Sequence, residues 1–300
     1  MKTNLTVEET NLALQRKRTK EKVGKILAKV FIYLILLLMY APLIYITVFS
    51  FTGNKVTGQW DTFTFSNYSS LFDVNGNATS QKIWNAAKNT ALVALTAASL
   101  STALGTLGAI GIYYTRKKWM KNTMDFVTQI PVVNAEIVTA VSLCVLFVIF
   151  SSFMPRSFLT LVIGHTVLSI PYVVMSVKPK LEQMDPSLYE AAMDLGATQT
   201  QALWKVVIPD IIPGILSGFL LSVTLSLDDY VITAFTKPTT GGFDTISTYV
   251  DAVTKRGGLP TQLRAFTAIL FAVILIVMVV MNIMSSRNAK LNKKETNKNA

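Results

Sequence analysis

Two adjacent carboxylates stand inside an apolar run, where Ser226-Leu227-Asp228-Asp229-Tyr230 interrupts the segment from Ile211 to Phe235. A carboxylate in the middle of a membrane span costs at least ~2.5 kcal/mol, so such groups face a cavity, a partner or the aqueous surface. Glu136 is a third, in the apolar segment from Met124 to Phe150. Spaced carboxylates with an aromatic face such as Tyr230 suit an extended organic cation, which needs negative charge at intervals and cation–π contact. Neighbours on a helix point roughly 100° apart, so Asp228 and Asp229 cannot line one narrow path equally. Two readings stand: at least one of them attracts a cation, or the pair caps its helix or meets Arg156, Lys237 or Arg264. Glu136 likewise either lines the path or takes a hydrogen bond between helices near Pro131. His165 lies mid-run in Leu161-Val162-Ile163-Gly164-His165-Thr166. With no carboxylate at i±3 or i±4, an interhelical hydrogen bond is expected there rather than a proton relay.

Enzymatic chemistry fits these residues poorly. An aspartyl dyad needs oxygens about 3 Å apart, normally from two elements rather than from neighbours on one helix. A Ser-His-Asp set using His165 stays open, but no Gly-x-Ser-x-Gly elbow occurs. The chain has 1 Cys, Cys144, and 1 His, so neither a disulfide framework nor a metal site is expected, and no cofactor is called for. A Walker sequence of the Gly-x-x-x-x-Gly-Lys-Ser type is also absent, so any ATP hydrolysis belongs to another polypeptide.

A second chemistry-bearing stretch is polar and runs from about Lys178 to Asp210. Asp185 stands where an N-cap belongs, and Pro186 follows at the first helical position, whose N–H has no partner anyway. Gly196 supplies the left-handed residue that ends the helix. Thr198 with Gln201 three residues later predicts a capping box for the next helix, and Pro209 is expected to limit that run. The product is a helical elbow. Its Ala191-Ala192 pair admits close approach, and Leu188, Leu195, Leu203 and Trp204 give it apolar surface to bury.

Glu190-Ala191-Ala192, Gly196, Val206, Ile208 and Pro209 resemble the EAA loop of ABC-importer permeases: Glu-Ala-Ala, three residues, Gly, nine residues, Ile, one residue, Leu-Pro. Val206 and Ile208 are aliphatic replacements within that pattern. The resemblance implies an elbow that docks into a separate ATPase subunit and couples it to the membrane domain. Leu227-Asp228-Asp229-Tyr230-Val231-Ile232 further resembles the fifth span of the second permease of spermidine/putrescine importers. Ile130 to Val138 resembles the third span, with Asn134-Ala135 standing where a proline is expected. Implied partners are a homologous permease, two ATPase subunits and an extracytoplasmic binding protein. Glu190, Ala191, Ala192, Gly196 and Pro209 would couple, while Glu136, Asp228, Asp229 and Tyr230 would line the path. A permease for another solute, a proton-coupled carrier and an intramembrane enzyme are the alternatives.

Half of the 300 residues are apolar, and several runs reach the ~20 residues that cross hydrocarbon as helix. The fold class expected is all-α and polytopic, and the resemblance implies the type I importer permease fold. Six spans are expected: 30–51, 86–113, 124–150 broken near Pro131, 157–177, 211–235 and 265–284. Gly105, Gly108 and Gly111 in the second predict close helix packing. A polar stretch, 52–84, and a Gly- and Thr-rich one, 236–264, are expected outside. Domains follow as a basic segment 1–29, a permease domain 30–284 with the elbow at about 178–210, and a basic disordered tail 285–300. Of 28 Lys and Arg, 20 fall before the first span, between the second and third, in the elbow or in the tail. That bias puts both termini and the elbow in the cytoplasm of a cell-membrane protein, and accounts for the net charge of +11 without nucleic acid.

Overall fold

A computed structural model describes residues 7–54, 56, 58–152, 155–238 and 241–298. Side chains of 7–21, 277, 281–282 and 284–298, which include most of the terminal basic residues, lie outside the described set, as do residues 1–6 and 299–300. In chain order the helices are α1 (Val7–Phe49), α2 (Ser66–Phe72), α3 (Ala78–Tyr114), α4 (Lys118–Val133), α5 (Glu136–Ile149) and α6 (Phe158–Gln183). Then come α7 (Pro186–Asp194), α8 (Gln199–Ala202), α9 (Ile208–Asp228), α10 (Val231–Thr236), α11 (Ile246–Lys255) and α12 (Thr261–Lys298). Among the described residues, five helices are long and apolar enough to cross a membrane, or six if α4 and α5, bent by 102°, form one span. The expected all-α polytopic class holds.

The chain divides into two compact units. One comprises residues 1–77 and 259–300, with α1, α2 and α12. Within it the buried Asn67 side chain donates to the carbonyls of Ser50 and Thr52, both at 2.8 Å. Arg264, only 1% exposed, donates to the carbonyls of Leu259 and Asn54. The tail expected to be disordered continues α12 as helix to Lys298.

The second unit, residues 78–258, carries the candidate sites. Here α3, α6 and α9 pack on one another around Ala109, Ile112, Val173, Val177, Leu181, Val207 and Ile211. Small residues set the spacing, since without a hydrophobic force between helices in lipid, close packing supplies the attraction. A Cβ added at Gly105 would lie 2.7 Å from that of Val173. The expectation of close contact therefore holds at Gly105, whereas the same position at Gly111 is open. Gly105→Ala should overpack α3 against α6 at a cost of about 1–3 kcal/mol, read as a lower Tm of the purified protein; an unchanged Tm would contradict this packing. A buried Ser101–Ser222 hydrogen bond, 2.6 Å, ties α3 to α9. Lys178 of α6 reaches both carboxylate oxygens of Asp125 on α4 at 2.7 Å.

The third span breaks at Asn134-Ala135, near Pro131 as expected, with the proline itself inside α4. Asn134 N–H still closes on Ile130 O at 3.0 Å, and the chain is extended at Asn134 and Ala135. Three other sequence expectations are corrected. The fifth span ends at Asp228, and α10 is a separate helix. Pro209 does not limit the elbow's second helix: α8 passes through a π turn, Leu203–Val207, into α9, with Pro209 in its first turn. Ile208 N–H reaches back five residues to Leu203 O, and this widened turn carries the helix past the proline that could not make the ordinary bond. The stretch 236–264 also holds the helix α11, opened by a Thr245–Thr248 capping box.

Candidate functional site

The two breaks face each other. α5 and α10 pack together, with Ala140, Leu168 and Ile232 buried between them and α6. Around this junction lies a cavity of about 320 Å³ lined by Asn134, Glu136, Tyr172, Asp228, Asp229 and Tyr230, among others. All four residues expected on a substrate path thus come together at one cavity. Glu136 and Asp228 are exposed, and Tyr230 is 37% exposed. Tyr230 Oη donates to Asp251 of α11 at 3.0 Å, which fixes the phenol at the rim.

Asp229 behaves differently from its neighbour. Only 6% exposed, it sits in extended backbone (φ −61, ψ 127) between α9 and α10. Its carboxylate accepts from the N–H groups of Ile232 (3.1 Å) and Thr233 (2.8 Å) and from the Thr233 hydroxyl (2.9 Å). These are the unpaired donors at the start of a helix, so Asp229 is a cap. Of the two readings left open for the aspartates, capping describes Asp229 and cavity exposure describes Asp228. The basic groups weighed as partners are engaged elsewhere in part: Lys237 pairs with Asp244 at 2.6 Å.

His165, 1% exposed, makes the interhelical bonds expected of it. Nδ1 lies 2.8 Å from Ser226 Oγ, and Nε2 lies 2.9 Å from Thr233 Oγ1 and 3.5 Å from Asp229 Oδ2. The carboxylate looked for along its own helix arrives from the link between α9 and α10. Tyr172 was missed by the sequence reading. Its spacing of seven from His165, with Leu168 between, places all three on one face of α6, and that periodicity was the available signal.

The elbow forms as its residues dictate. Asp185 Oδ1 accepts from Ser187 N–H at 2.9 Å, and the Ser187 backbone and side-chain hydrogen bonds hold this carboxyl below the usual range. At the end of α7, Gly196 takes φ +83. Ala197 N–H bonds Ala192 O at 3.1 Å and Gly196 N–H bonds Met193 O at 2.9 Å, the paired closure of a Schellman motif. Thr198 and Gln201 exchange bonds of 3.0 and 3.3 Å in the expected capping box. The Tyr189 ring meets that of Tyr114, the last residue of α3, at 5.4 Å and a tilt of 47°. Glu190 and Ala191 are exposed, and so are Leu188, Trp204 and Leu195, the last at 89%. The elbow therefore presents these three apolar side chains outward, while Leu203 packs against the core.

Residues 101–293 match the family described as binding-protein-dependent transport system inner membrane component. The spermidine/putrescine transport system permease protein PotC of Haemophilus influenzae is 28% identical over 262 residues, 87% of this chain and 97% of that one. The putrescine transport system permease protein PotI of Escherichia coli is 31% identical over 201 residues, 66% of this chain and 69% of that one. In fold, the chain resembles one in the crystal structure of a bacterial alginate ABC transporter in complex with an alginate pentasaccharide-bound periplasmic protein. The TM-score there is 0.65 at 18% identity, covering 88% of this chain and 93% of that one. Membrane helices thus break around an acidic cavity, and the exposed elbow closes at Gly196. The chain belongs to the family of binding-protein-dependent transport system inner membrane components, and it is a multi-pass permease subunit of an ABC importer.

Proposed function

We propose that this permease imports polyamines of the spermidine/putrescine class, with Glu136, Asp228 and Tyr230 on the path. The observation that carries the reading is the cavity itself, which brings two exposed carboxylates together with Tyr172 and Tyr230. An alkylammonium group is held by carboxylate charge and by aromatic faces, and a polyamine repeats that group along an apolar chain. The names of the relatives PotC and PotI support the same substrate class.

The permease pairs with a homologous permease, two ATPase subunits and an extracytoplasmic binding protein. Both termini and the elbow lie in the cytoplasm, where Glu190, Ala191, Ala192, Gly196 and Pro209 dock on the ATPase. The exposed Leu188, Leu195 and Trp204 supply the apolar surface for that contact. Transport is by alternating access: ATP closes the ATPase dimer, the elbows follow, and the cation released by the binding protein passes between spans three to six, through the acidic cavity.

Cells lacking this chain should lose most uptake of labelled spermidine or putrescine, and re-expression should restore it. Unaltered polyamine uptake, with another solute's import lost instead, would reject the substrate assignment.

A further inference from the structure

We propose that His165 is a positioning residue for the path: it ties the last turn of α9 to α10 across their break, which commits Asp229 to the fold and presents Asp228 to the cavity. The inference rests on the reading of that cavity as the cation path. Hydrogen accounting gives the direction of each bond. Thr233 has one hydroxyl proton, and it goes to Asp229 Oδ2 at 2.9 Å. The hydroxyl oxygen must therefore accept from His165 Nε2–H at 2.9 Å. That leaves Nδ1 of a neutral ring to accept from the Ser226 hydroxyl at 2.8 Å. The chain of donors runs Ser226 to His165 to Thr233 to Asp229, with every proton used and three helices joined.

A broken membrane helix exposes backbone groups that lipid cannot satisfy, so a break persists only where side chains replace the lost bonds. Asp229 does so for the first amides of α10, while Ser247 Oγ donates to the Asp229 carbonyl at 2.7 Å. His165 secures both flanks at once, since Ser226 lies in the last turn of α9 and Thr233 lies in α10. Without the ring, the two hydroxyls lose their buried partner. The segment is then free to rewind as one helix, which turns the Asp228 carboxylate away from its present direction.

The test reads position and not transport. In the assembled complex with Cys144→Ala, the thiol of an Asp228→Cys variant is labelled with a membrane-impermeant cationic thiosulfonate. Adding His165→Leu removes both of the ring's buried hydrogen bonds and is expected to slow labelling at least about tenfold. Ser226→Ala, which removes one hydroxyl, should act in the same direction by a smaller factor. His165→Gln, which keeps a donor for Thr233, should recover part of the rate. A residue that merely fills space would lower the yield of complex without altering the rate per folded molecule. Unchanged labelling in Ser226→Ala and in any His165→Leu complex that assembles would overturn the proposal. Should Asp228→Asn leave transport intact, the path reading falls, whereas the labelling result still decides what His165 holds in place.

Discussion

Asp228→Asn should abolish most polyamine transport in a complex that still assembles, whereas Asp229→Asn should reduce the amount of folded complex. The expectation follows from where the two carboxylates are. Asp228 is exposed on the cavity, and a charge-assisted hydrogen bond to an ammonium group is worth about 1.5–3 kcal/mol, so its loss predicts a roughly ten- to hundredfold fall in uptake. Basal ATP hydrolysis should survive, because the elbow is untouched. Asp229 instead accepts two backbone N–H groups and a hydroxyl in a buried site. An amide there turns a donor toward a donor, and leaving a buried group unsatisfied costs about 1–3 kcal/mol. Uptake normalised to folded complex separates the two effects. Equal transport per folded molecule in both variants would remove Asp228 from the path.

Gly196→Val should uncouple hydrolysis from transport while the protein still inserts. The residue sits at φ +83, and a Cβ there would meet nothing within 4 Å. The penalty is therefore purely conformational, about 1–2 kcal/mol for an L-residue in the left-handed region and more for a β-branched one. Either the paired bonds from Gly196 and Ala197 are lost or α7 and α8 meet at another angle, and in both cases the docking face changes shape. Gly196→Asn provides the control, since Asn tolerates this region several-fold better than most residues. ATP-driven uptake should be well retained with Asn and strongly reduced with Val. Full uptake with Gly196→Val would mean that the left-handed turn is dispensable to coupling.

The elbow was legible because its determinants are local. Asp185, Pro186, Gly196, Thr198 and Gln201 each act on backbone groups within a few residues, and the structure shows those bonds as expected. The long apolar helices were legible for the same reason, hydropathy over one window. What escaped depends on contacts distant in sequence. The end of α9 at Asp228 is supported by His165, whose hydrogen bonds span 61 and 68 positions, and no local pattern distinguishes Asp229 as a cap from Asp228 at the cavity. Pro209 misled because proline's usual meaning, a stop, gives way where a π turn precedes it. Pro131 marked its break to within a few residues, since α4 carries it and ends at Val133.

The central claim is that this chain carries an organic dication or trication through an acidic cavity with energy from a separate ATPase. The most direct measurement is accumulation of labelled spermidine by lipid vesicles that hold the purified complex with its binding protein. The expected result is ATP-dependent accumulation against a gradient, competed by unlabelled putrescine and lost with Asp228→Asn. Accumulation of a neutral or anionic solute instead, with no competition by either polyamine, would contradict it.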